Sequence, residues 1–154
     1  MRVTESFTQK IPWIVSLLFI VLFVYAAVSK LINLSQFYND LRNSVSFGNH
    51  VVSKIISWVI PIIELGTVIL LIIPKFNKTG LYIALVLMVG FTFYIGGTLL
   101  IDEFGIAELP CSCGGVISQL SWQQHLLFNA FFVLLGILGI YPWTEKNKHI
   151  KSRI

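Results

Sequence analysis

The chain has 154 residues, of which 56% are hydrophobic and only 12% charged, and its mean hydropathy is +0.82. This composition excludes a water-soluble domain and a disordered segment and defines an integral membrane protein. The net charge of +4 does not point to nucleic acid, because the basic residues stand beside apolar segments and form no patch interleaved with aromatics.

Four apolar runs, about residues 11–34, 55–73, 80–101 and 121–141, each approach the ~20 residues that a helix needs to cross ~30 Å of hydrocarbon. They predict an all-α, four-transmembrane-helix bundle forming a single integral membrane domain over 1–154. The first run follows a basic start but is too long for the apolar core of a signal peptide, and so reads as a membrane helix. Eight basic residues (Arg2, Lys10, Lys75, Lys78, Lys146, Lys148, Lys151 and Arg153) fall on one side of these runs and three (Lys30, Arg42 and Lys54) on the other. By the positive-inside rule both termini are expected in the cytoplasm. The segment at about 102–120, with Asp102, Glu103, Glu108 and no Lys or Arg, then faces the periplasm of a bacterial inner membrane, where disulfides persist.

In chain order, a short polar tail leads to Pro12, expected in the first turn of the first helix, where its missing N–H costs nothing. Tyr25-Ala26-Ala27-Val28-Ser29-Lys30 then offers small residues for a close helix neighbour and a cation about one turn below the surface, either snorkelling or paired. Residues 36–52 read as an outer loop with amphipathic character, carrying Phe37, Tyr38, Phe47 and a lone His50. The second helix holds Trp58, Pro61 and then Glu64, a carboxyl deep in the membrane. Such a group is functional or paired inside the bundle; Lys30, Tyr94 and His125 are its candidate partners, and an intramembrane pair with Lys30 is the expected one. A basic turn, Ile73 to Gly80, makes the second and third helices an antiparallel hairpin. Gly90, Thr92, Gly96 and Gly97 mark helix contact in the third, where Tyr94 and Thr98 are candidates to line a cavity.

The only two cysteines lie in Pro110-Cys111-Ser112-Cys113-Gly114-Gly115. A disulfide across one intervening residue needs a tight turn, which Gly114 and Gly115 permit, and it closes too little chain to be a useful structural staple. Redox chemistry at Cys111 and Cys113 is therefore the leading reading. A metal held by Cys111, Cys113 and His125 and a turn that merely contains two thiols are the alternatives, and no metal is assigned because only half of a zinc-type spacing is present. Ser121 and Gln124 fit a capping box opening the fourth helix beside Trp122. The helix start would favour a thiolate, and His125 on its first turn is placed to move a proton at a sulfur or a bound ligand.

These residues carry a resemblance. The stretch from Pro110 to Gly115, the following Ser121-Trp122-Gln123-Gln124-His125-Leu126 and the four-helix layout are similar to the MauE family of redox-associated membrane proteins, and Lys30 with Glu64 resembles the related DoxX group. The resemblance covers residues 11 to 141. It implies support of methylamine dehydrogenase maturation beside a thioredoxin-like partner, through disulfide formation or electron transfer. Disulfide bond formation protein B and vitamin K epoxide reductase, four-helix enzymes that reduce a quinone, use a Cys-x-x-Cys pair and usually a second pair as relay. This chain has a single Cys-x-Cys and no relay. The cofactor is therefore open, a quinone being one option and direct exchange with a soluble thiol carrier the other. The expected function is thiol-disulfide exchange at the periplasmic face. The competing class is a membrane scaffold or accessory subunit of a larger complex, or a metal-handling protein. The expected partners are the lipid bilayer and a periplasmic thiol protein, with no nucleic acid.

Overall fold

The computed structural model describes the backbone of residues 2–43, 49–103 and 122–151, and the side chains of residues 10–43, 49–97, 99–100 and 123–141. The described residues form five helices and no strand: α1 (Arg2–Ile32), α2 (Leu34–Asn43), α3 (His50–Ile72), α4 (Asn77–Glu103) and α5 (Trp122–Lys151). Four of them contain spans long and apolar enough to cross a membrane, Lys10–Ile32, His50–Ile72, Asn77–Gly97 and Gln123–Tyr141. At 1.5 Å per residue the 23 residues of the first span reach about 34 Å, more than the hydrocarbon thickness. The protein is a four-span, all-α membrane bundle.

The distribution of side chains follows from lipid as the solvent. On α3 the buried face is Ser53, Ser57, Pro61, Glu64, Thr67, Val68 and Leu71, which recur on one face at helical spacing, while Ile55, Trp58, Val59, Ile62, Ile63, Ile69 and Ile72 are exposed. In water this helix would be inside out. In a bilayer the large aliphatic side chains are solvated by lipid, and small or polar groups gain most from helix contact. The apolar core is aromatic at its centre: Phe19 stacks on Phe23 at 5.8 Å between ring centroids and meets Phe132 of α5 edge-on at 5.6 Å. Val15, Leu71, Leu81, Ala84 and Met88 pack around them. The main contacts are α1 on α3 and α4 on α5.

Several local expectations change. Pro12 lies inside α1, which begins at Arg2, rather than in its first turn. A proline removes one ladder bond without forbidding helix on either side. The expected outer loop contains α2, whose Leu34, Phe37 and Leu41 face inward while Gln36, Asn39, Arg42 and Asn43 face out. The helix α3 starts at His50, ahead of its apolar run, because the Asn49 side chain accepts from the Val51 N–H at 2.9 Å and caps it. The glycines that matter for packing also differ. A Cβ at Gly90 or Gly97 would meet nothing within 4 Å, and at Gly96 only Leu126 at 3.9 Å. The close approaches are at Gly80, Gly136 and Gly139, where a Cβ would lie 2.9 Å from the Leu71 nitrogen, 3.0 Å from Leu85 and 2.9 Å from Val15.

Candidate functional site

Two buried polar groups meet where α1 ends beside the middle of α3. Lys30 Nζ donates to Glu64 Oε1 at 2.6 Å, with side-chain exposures of 16% and 1%. The spacing explains the meeting. Lys30 continues the buried stripe of Phe19, Phe23 and Ala27 on α1, and Glu64 sits between Pro61 and Thr67 on the buried face of α3. Of the two readings of Lys30, paired or snorkelling, the structure has the pair. The ammonium also lies over the rings of Phe37 and Phe91, 5.8 and 5.5 Å from their centroids, so the charge is neutralised on one side and held by aromatic faces on the others.

The pair opens on a cavity of about 320 Å³ to which all five helices contribute. Its wall is mostly apolar, with Phe23, Phe37, Phe91 and Phe128 among the lining residues, and its polar lining comes from Lys30, Glu64, Tyr25, Tyr94, His125 and Asn129. Two atoms of this lining are buried and lack a hydrogen-bond partner among the described residues: Glu64 Oε2 and His125 Nε2. A buried acceptor or donor left unmade costs about 1–3 kcal/mol, more when charged. The position of these two atoms beside a concave, ring-lined space makes this cavity the candidate binding site.

Of the residues singled out in the sequence, Lys30, Glu64, Tyr94 and His125 share this one cavity. Gln124 is exposed on the first turn of α5. Cys111, Cys113, Gly114, Gly115 and Ser121, in the stretch joining α4 to α5, lie outside the described residues, as do the side chains of Thr98 in α4 and Trp122 in α5. Among the described residues no three His, Cys, Asp or Glu side chains come together as a metal site. Sequence reasoning missed Phe91, Gly90 and Asn129 as cavity residues. Asn129 was findable, since it lies four positions beyond His125 on the same helix face. Phe91 carries no signal until α4 is docked.

A four-span bundle with an ionisable pair and a lined cavity in its interior is a polytopic membrane protein built around an intramembrane polar site. The family model described as methylamine utilisation protein MauE matches residues 8–142, and the chain belongs to the MauE family. Comparison with curated proteins and with solved structures gives no match.

Proposed function

We propose that this chain is a thiol-disulfide redox protein of the bacterial inner membrane that serves methylamine utilisation by exchanging electrons between Cys111 and Cys113 and a thioredoxin-like partner. The observation that carries it is the Cys-x-Cys motif, which holds the only two cysteines of the chain within the segment matched by the MauE model. The described geometry supports it in one respect. That motif joins the end of α4 to the start of α5, and Tyr94 and Ile95 of α4 and His125 of α5 line the cavity.

In the proposed step a partner thiolate attacks one sulfur of the Cys111–Cys113 disulfide, forming a mixed disulfide and releasing the other cysteine as thiolate. The partner's second thiolate then attacks the mixed disulfide, so the partner leaves oxidised and the pair remains as a dithiol. Two electrons move. The 8-to-3 division of Lys and Arg supports a periplasmic position for the pair.

The test is acid-quenched alkylation in cells expressing Cys111→Ser or Cys113→Ser, with mass spectrometry of what is covalently attached. A single trapped thiol protein is expected on one variant. Absence of any adduct on both, with the wild-type pair fixed in one redox state, would leave the accessory-subunit reading. Titration of the purified protein against glutathione buffers should place the potential above about −300 mV, the usual upper bound for structural disulfides. A membrane-impermeant thiol reagent should reach the reduced pair in intact spheroplasts.

A further inference from the structure

The cavity beside Lys30 and Glu64 carries chemistry that thiol exchange does not use. Its ionisable lining is one cation against one carboxylate, 2.6 Å apart, with His125 and two tyrosines. An anionic ligand would bring a second negative charge to Glu64. A cationic one would compete with Lys30, which already takes the carboxylate and the faces of Phe37 and Phe91. The fitting head group is therefore uncharged. It must still answer buried atoms of both characters, because Glu64 Oε2 accepts and has no donor among the described residues, while Lys30 Nζ carries three N–H groups and donates one to Glu64 Oε1. A hydroxyl is the smallest group that does both. It accepts from the ammonium and donates to the carboxylate.

The rest of the wall selects the body of the ligand. Phe23, Phe37, Phe91 and Phe128 present aromatic surface, which favours a ring by stacked or edge contacts. The volume of about 320 Å³ is at the small end of the ~300–1,000 Å³ typical of small-molecule sites, enough for a single-ring head and too little for a whole phospholipid. We propose that this cavity binds an uncharged, membrane-soluble phenol, its hydroxyl between Lys30 Nζ and Glu64 Oε2 and its ring among Phe37, Phe91 and Phe128. The assignment stands on the cavity alone and is independent of the thiol exchange proposed above.

The experiment is equilibrium dialysis of tritiated 4-pentylphenol against the full-length protein in nanodiscs, with empty nanodiscs subtracting partition into lipid. Saturable binding is expected, weakened about tenfold or more for 4-pentylanisole, whose methyl ether cannot donate to the carboxylate, in line with one hydrogen bond to a charged group. Glu64→Gln should weaken binding comparably, and since this variant also strands Lys30 and loses stability, Gly90→Leu provides the second arm. Gly90 lines the cavity and a Cβ there meets nothing within 4 Å, so a larger side chain occupies the ligand space without moving backbone. Saturable binding should be lost in Gly90→Leu while its thermal unfolding is unchanged. Equal affinity for phenol and anisole, binding unaffected by Gly90→Leu, or preference for pentyl-1,4-benzoquinone, which only accepts hydrogen bonds, would each overturn the assignment.

Discussion

Two buried polar clusters of the described residues lie about 21 Å apart along α1, as 14 residues of helix separate Ser16 from Lys30, and they are built on opposite principles. At the end near the α3–α4 turn, Asn77 spends both amide hydrogens, one on the Leu71 carbonyl at 2.7 Å and one on Ser16 Oγ at 2.9 Å. The Ser16 hydroxyl donates to the Pro12 carbonyl at 2.7 Å. One side chain thereby closes the C-terminus of α3, whose last carbonyls have no intrahelical partner, and ties it to α1. Gly80 lets α4 lie against the α3 backbone beside it. At the other end, the Lys30–Glu64 pair leaves Glu64 Oε2 and His125 Nε2 without partners among the described residues and borders a cavity. The difference separates a polar group used for assembly from one kept available. The first is fully bonded and packed; the second is charged, incompletely bonded and beside space.

Breaking the ion pair should have the largest effect. Lys30→Met or Glu64→Gln alone strands a buried partner and is expected to cost about 3–5 kcal/mol, whereas the double variant should recover much of the loss. Unfolding in mixed micelles measures this, and additive losses would mean that the pair is not coupled. Next come the tight sites at the closed end. Gly80→Ala forces a Cβ to 2.9 Å from the Leu71 nitrogen and should destabilise by about 1–3 kcal/mol. The same change at Gly90, on the open end, should be neutral or stabilising by up to about 1 kcal/mol, since it gains helix propensity into free space. Identical responses at the two glycines would erase the distinction between closed and open ends.

Asn77→Ala should cost about 1–3 kcal/mol by leaving the Leu71 carbonyl unpaired and removing the donor to Ser16 Oγ. The smallest stability change is expected at His125. Replacing an imidazole whose Nε2 has no partner among the described residues by the similarly sized ring in His125→Phe should shift unfolding by no more than about 1 kcal/mol, and a gain is as consistent as a small loss. A loss as large as that of Asn77→Ala would show that His125 is bonded, and that the two ends are alike.

The four-span architecture was legible in the residues because it rests on a local property. Each apolar run is long enough by itself to satisfy its backbone as a helix in lipid. Glu64 was legible for the same reason, since a carboxyl in such a run stands out whatever surrounds it. What ran past the pattern were helix ends and helix contacts. The hydrophobic run does not mark where α3 begins, because Asn49 and not an apolar residue starts it. The small residues of α4 suggested contact, yet Gly90 lines a cavity and the close approaches belong to Gly136 and Gly139 of α5. In lipid, small residues are only permissive for approach, and which ones are used depends on how the helices are docked.

By itself, then, the sequence determined the class of protein, the number of crossings, the family and the two side chains that had to find partners inside the membrane. The pairing of Lys30 with Glu64 was already an expectation from the residues, whereas tertiary structure alone decided that Phe37 of α2 and Phe91 of α4 hold the ammonium and that His125 shares their cavity. The reason is physical. Crossing a bilayer is decided residue by residue through transfer from water to lipid, whereas a pair, a ring contact and a cavity exist only once helices from distant parts of the chain have packed at one depth and one rotation.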